Sequence, residues 1–162
     1  MIVLGIDPGT ARLGFGVLRK EGSRLTHVAH GCLETPKEMP QPERLSFLHD
    51  ALSALMTEHQ PEHVGVEKLF FQKNVTTAMT VSEARGVALM AAQNGGMSIS
   101  EFTPMQIKVA VTGYGGADKR QVQEMVKRLL SLKEIPKPDD AADALAIAYC
   151  AAVSMVDARR RV

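Results

Sequence analysis

The sequence predicts an α/β fold, a five-stranded mixed sheet flanked by helices. Three observations lead there. Three strand-like segments come first, joined by turns short enough for hairpins. Helical and strand patterns then alternate, so the later strands need crossovers. A long alanine-rich stretch closes the chain, and such a helix can lie close against a sheet.

The first strand, 2–7, is an apolar run that ends on an acid, Asp7. Pro8-Gly9-Thr10-Ala11 turns the chain into 12–20, where Leu13, Phe15 and Val17 alternate with Gly14 and Gly16. Glu21-Gly22-Ser23 leads into a third strand, 24–33. Pro40 and Pro42 open a helix that runs to about His59, with Leu45, Leu48, Leu52 and Leu55 on one face. Gln60-Pro61 stops it, and His-Val-Gly-Val-Glu forms a short strand ending on Glu67. A helix from about Val75 to Gln93 is closed by Asn94-Gly95-Gly96. Met-Ser-Ile-Ser-Glu-Phe supplies the fifth strand, and helices follow near 104–112, 118–131 and 139–157. No repeat, linker or low-complexity stretch divides 1–162, which suffices for a single domain with a full core.

The composition is 45% hydrophobic and 23% charged, that of an ordinary globular protein. Cys32 and Cys150 lie far apart with no zinc-ligand spacing, which fits a reducing compartment. No signal peptide and no apolar run of roughly 18 residues is visible, so a soluble, cytoplasmic protein without a membrane partner is expected. Net charge is +1, but it is unevenly spread. Residues 34–63 carry a net −4 and residues 103–133 a net +4, and a local basic region suffices to meet a polyanion.

The acids carry the chemistry. Two strands end on one, at Asp7 and Glu67, and the last helix opens on Lys-Pro-Asp-Asp-Ala-Ala-Asp. Asp140 and Asp143 are three apart and share a helix face. Asp143 sits among alanines and aliphatics, with no basic partner nearby in sequence. Asp139 follows Pro138 and is expected to cap the helix. If the first and fourth strands are neighbours under this helix, Asp7, Glu67, Asp140 and Asp143 converge, and their repulsion calls for cations. An all-oxygen ligand set suits Mg²⁺ or Mn²⁺. Two ions about 4 Å apart would neutralise the cluster and suit in-line phosphoryl transfer. His59 and His63 are separated by Gln60-Pro61, lack a metalloprotease pattern, and read as surface residues.

Four blocks, Gly-Ile-Asp-Pro-Gly-Thr-Ala-Arg-Leu-Gly-Phe-Gly-Val, Val-Glu-Lys-Leu-Phe-Phe-Gln-Lys-Asn, Ala-Arg-Gly-Val-Ala and Asp-Ala-Ala-Asp-Ala-Leu-Ala-Ile-Ala, occur in this order. Together they resemble the RuvC crossover-junction endonucleases over nearly the whole chain. The resemblance implies a ribonuclease H-like fold and a homodimer. It implies metal-dependent, paired, symmetric hydrolysis of two opposed strands in a four-way (Holliday) DNA junction during recombination and repair. It further implies RuvA and RuvB, the branch-migration proteins, as partners. The family's four acidic positions fall on Asp7, Glu67, Asp140 and Asp143, the Asp-Ala-Ala-Asp register choosing Asp140 over Asp139.

The same resemblance places Phe70 near the junction's crossover and Lys108 and Lys119 near the cleaved strand. Phe71 and Lys73 in the same loop, and Arg120 beside Lys119, complete the candidate DNA contacts. Position alone also allows both rings to plug the core and both helix cations to be solvated. Asp118 is expected to cap the helix that Lys119 and Arg120 open. A stripe of Val75, Ala78, Met79, Ser82 and Gly86 offers a flat face for a partner helix. Other readings are a generic ribonuclease H-like nuclease, an actin-like ATPase domain sharing Asp-Pro-Gly-Thr, and a catalytically inert junction-binding scaffold.

Overall fold

A computed structural model describes residues 1–69 and 75–159. The sheet contains β1 (Ile2–Asp7), β2 (Arg12–Glu21), β3 (Arg24–Glu34), β4 (His63–Glu67) and β5 (Ser98–Phe102). The helices are α1 (Gln41–His59), α2 (Val75–Asn94), α3 (Pro104–Thr112), α4 (Lys119–Leu129) and α5 (Asp139–Arg159). Strand order is β3-β2-β1-β4-β5. β1, β2 and β3 form an antiparallel meander, whereas β4 and β5 run parallel to β1. The expected mixed five-stranded sheet is therefore present, with β1 and β4 adjacent and Ile6 in register with Val66.

Alternation along the strands gives the sheet two unlike faces. On one, Leu4, Ile6, Leu13, Val17, Val64 and Val66 pack against α1 and α2 in a fully aliphatic core. On the other, Gly5, Gly14, Gly16 and Gly65 lie under α5. A Cβ at Gly5 would strike the Ala144 carbonyl, and one at Gly14 would strike that of Asp140. The glycines that alternate with Leu13, Phe15 and Val17 thus let helix backbone rest on strand backbone. The alanines of α5 complete the close approach, and Ala141, Ala144 and Ala148 are fully buried.

Local signals account for the ends. Thr103 and Asp118 each make a reciprocal capping box, with Gln106 and Gln121 respectively. Gly113, which ends α3, and Gly96, in the turn after α2, take positive φ, 76° and 72°. α4 is shorter than expected and stops at Leu129, since Ser131 takes a left-handed φ of 53°. His63 departs from the surface reading: it is 4% exposed in β4, with Nδ1 2.6 Å from Ser98 Oγ. Its strand lies between β1 and β5 in the sheet's interior, a position the local sequence does not signal.

Candidate active site

β1 and β4 run side by side in the same direction, so their last residues, Asp7 and Glu67, emerge at the same sheet edge. α5 crosses above with its first turn at that edge, because Gly14 seats the Asp140 backbone directly on β2. The result is a cavity of about 230 Å³ lined by Asp7, Glu67, Lys108, Lys119 and Asp143. Ile107, Val122 and Ile147 form its apolar floor.

The acids bear the cost of this enclosure. Burial, then repulsion from Asp143, Glu67 and Asp140, pushes the Asp7 carboxyl up to about 8. Burial and the Asp143 charge raise Glu67. Asp143 is also raised, chiefly by burial, although Lys119 pulls it the other way. Without a cation, Asp7 therefore holds its proton to higher pH than an ordinary carboxyl does.

Lys119 supplies part of the missing positive charge. Its Nζ lies 3.1 Å from Asp143 Oδ2 and 3.3 Å from Asp139 Oδ2. Burial works against its charge, but the hydrogen bonds and charges of Asp143 and Asp139 outweigh it and hold its pKa above the usual lysine value. Asp143 does have a basic partner, reached across α4 and invisible to local sequence. Asp139 differs from expectation too. It is the first residue of α5, and among the described residues its carboxylate bonds to Lys119 and to Gln123 Nε2 at 3.3 Å and to no backbone amide of the helix.

Asp140 points to another neighbour. Arg12 Nη1 lies 3.8 Å from its Oδ2, and Arg12 Nη2 lies 3.4 Å from Glu34 Oε1. Asp140 does not line the cavity, although its charge is felt by Asp7. The helix geometry explains the split: residues four apart, Asp139 and Asp143, lie closest to one line along the helix and meet α4, whereas Asp140 turns toward β2. Among the described residues no three carboxylates are drawn to metal-ligand distance. The donor chemistry nevertheless fits hard divalent cations: carboxylate oxygens only, crowded, partly buried and short of positive charge.

Two positioning residues escaped the sequence reading. Arg85 of α2 donates from Nε to the Glu67 carbonyl at 3.2 Å and pairs with Glu101 of β5. It ties the end of β4 to its neighbour, and its position inside Ala-Arg-Gly-Val-Ala was the available signal. Arg12 had the same kind of signal, its place inside the block that begins Gly-Ile-Asp-Pro-Gly-Thr, but its partners come from β3 and α5 and were not legible. Arg120 opens α4 on the side away from the cavity. Phe70, Phe71 and Lys73 lie outside the described residues.

Comparison with known proteins agrees with this arrangement. Residues 3–151 match the model of the family described as Crossover junction endodeoxyribonuclease RuvC. The Desulfitobacterium hafniense RuvC is 56% identical over 155 residues, covering 96% of this chain and 94% of the relative. A Thermus thermophilus RuvC structure superposes with a TM-score of 0.90 at 37% identity, covering 98% of this chain and 97% of that one. The T. thermophilus RuvC in complex with Holliday junction substrate gives 0.88 at 35% identity, covering 97% and 96%. The sheet and its helices are thus a ribonuclease H-like fold. A match that runs through both the glycine-seated strands and the acidic opening of the last helix leaves one assignment: the chain belongs to the RuvC family of crossover junction endodeoxyribonucleases.

Proposed function

We propose that this chain resolves four-way DNA junctions by divalent-metal-dependent hydrolysis of two opposed strands, as a step of recombination and repair. One observation carries the reading: Asp7, Glu67 and Asp143 crowd into one cavity with Lys108 and Lys119, in a chain whose T. thermophilus relative was solved with Holliday junction substrate. Asp7, Glu67, Asp140 and Asp143 would hold the cations, and Mg²⁺ or Mn²⁺, two per site, matches their number and hardness. When bound, such ions polarise a phosphodiester and activate the attacking water. Lys108, on the rim, has no ion pair among the described residues and is poised for a phosphate of the cleaved strand. Lys119, now on Asp139 and Asp143, would pass to DNA once cations take over those carboxylates. Asp140 would have to leave Arg12, a pair about half-exposed and therefore worth at most about 1 kcal/mol.

The reading extends to the whole assembly. One sheet with helices on both faces supports taking 1–162 as a single nuclease domain. A homodimer supplies two sites for two symmetric cuts. Its face is α2, where Met79, Gly86 and Met90 are exposed along one stripe, with Ala78 and Ser82 beside it; the Val75 side chain lies outside the described residues. RuvA and RuvB are partners on family grounds, to be tested by co-purification. Among the described residues no helix is long and apolar enough to cross a membrane, and the two free cysteines suit a reducing, cytoplasmic setting.

The test is incubation of the protein with a four-way junction, a linear duplex and an RNA–DNA hybrid, each with and without Mg²⁺ or Mn²⁺. Paired nicks in the junction alone, only with metal, are expected. Equal cutting of the linear duplex or the hybrid would make it a generic ribonuclease H-like nuclease, and binding without cutting an inert scaffold.

A further inference from the structure

We propose that the face of α4 turned away from the acidic cavity is a second DNA track, which grips a duplex arm of the junction beyond the cut. The inference rests on the nuclease reading and adds where an arm would lie. α4 has two cationic sides. Lys119 turns inward to Asp139 and Asp143, whereas Arg120 and Arg128 line a separate groove of about 460 Å³ with Thr112, Tyr114, Gln121 and Glu124.

The groove carries an exposed ring on a tied loop. Tyr114 is 65% exposed, and its backbone is bonded to Thr112. Its ring lies over Gly116, where a Cβ would collide with the phenol oxygen and the ring carbons. The φ of Gly116 is not in the positive region, so what a larger residue there would meet is the Tyr114 ring. The Tyr114 amide donates to Thr112 Oγ1 at 3.1 Å, and that hydroxyl lies 2.8 Å from the Lys108 carbonyl. An exposed aromatic ring on a tied loop is a stacking or sugar-packing platform already paid for in conformational entropy.

The groove holds two arginines and two acids, Asp118 and Glu124, and Asp118 is engaged in capping α4, which leaves the arginines to meet phosphate. Arg120 and Arg128 are exposed, and among the described residues neither makes an ion pair. Eight residues of helix place them about 12 Å apart along the axis. That is the length of roughly three to four base pairs. Asp118 and Arg120 of the groove flank Lys119 of the cavity in the chain, so the two sites are neighbours along α4. Glu124 sits between the arginines and opposes phosphate, which gives the proposal a prediction of each sign.

The experiment measures junction affinity at several salt concentrations without divalent metal, using junctions with long arms and with arms cut back to a few base pairs. On long arms, Arg128→Ala should weaken binding roughly three- to tenfold and lower the salt slope by about one. Glu124→Gln should strengthen binding about two- to threefold, by removing a charge that repels phosphate. Tyr114→Ala should weaken it about fivefold or more, with Tyr114→Phe close to wild type, the range of one stacking contact. On short arms all variants should converge on wild type. Unchanged affinity and salt slope in Arg128→Ala and Glu124→Gln on long arms, or equal changes on short arms, would overturn the track and leave the nuclease reading standing. A wild-type protein that binds no junction would overturn both. Arg128 is exposed and Glu124 half-exposed, so melting like wild type is expected of both variants; should Arg128→Ala melt lower, Arg128→Lys retains the charge and must then retain the salt slope.

Discussion

The two faces of the sheet are made by the same strands and do opposite things. Residues facing α1 and α2 are large: Leu4, Ile6, Leu13, Val17, Val64 and Val66, all fully buried. Residues facing α5 include Gly5, Gly14, Gly16 and Gly65. The aliphatic face contributes stability through area removed from water, roughly 25 cal/mol per Å². The glycine face contributes proximity, since α5 can bring its acidic first turn to the ends of β1 and β4 only if no side chain intervenes. One face holds the molecule together; the other gathers like charges that the fold alone does not neutralise.

Substitutions can break that contrast, the largest effect coming from the acids themselves. Asp7→Asn should lower junction cleavage by about three orders of magnitude or more, the loss that the ligand role proposed for Asp7 requires. Junction affinity should stay within about twofold, since it derives from phosphate contacts. A nicking time course beside a gel-shift titration reads both.

Asp140→Asn should cost about a hundredfold in turnover at limiting Mn²⁺ and less at saturation, as for a ligand that must be recruited from Arg12. Asp139→Asn should lose only the second anchor of Lys119, with turnover within about threefold. A Mn²⁺ titration of both variants separates them, and a reversed order would shift the metal register by one residue.

Smaller in turnover, and more instructive about the faces, is a matched pair. Gly14→Ala pushes directly on the Asp140 backbone, so it should lower turnover per folded molecule about tenfold along with a stability loss of about 1–3 kcal/mol. Leu52→Ala, fully buried on the other face, should lose about 2–5 kcal/mol of stability. Its turnover per folded molecule should be unchanged. Chemical denaturation and active-site-normalised rates test the pair.

The sequence made much of this legible. Asp7 and Glu67 stood out because an apolar strand that ends on an acid is unusual, but that their strands are neighbours entered only as a condition, which the parallel pairing of β1 with β4 meets. The cap at Asp118 and the glycine stop at Gly95-Gly96 are local codes read directly, whereas the capping box at Thr103 went unread. What was not legible depends on tertiary approach. Lys119 meets Asp143 across α4 and α5, Arg85 reaches from α2 to the carbonyl of Glu67, and Arg12 joins β3 to α5 through Glu34 and Asp140. Asp139 could equally have capped its helix by local rules, and it lost that role to a lysine distant in sequence. Gly14 and Gly16 were visible as alternation, but only the helix above them gives the alternation a purpose.

The fold confines acids at an electrostatic cost, and bound divalent cations should relieve it. A carboxyl raised from 3.8 to about 8 binds its proton more tightly in the folded state, so the folded protein holds more protons than the unfolded one across that window. Stability without metal is therefore greatest at the acid end and falls as pH rises from about 4 toward 8. The direct measurement is thermal melting of wild type and Asp7→Asn from pH 5 to 8.5, each with and without saturating Mn²⁺. The account predicts a wild-type melting temperature that falls with pH without metal and is restored by Mn²⁺. It predicts a flatter, metal-insensitive Asp7→Asn profile, about 1–4 kcal/mol more stable than metal-free wild type near pH 7. A wild-type profile that is flat without metal, or one that Mn²⁺ leaves unchanged, would contradict it.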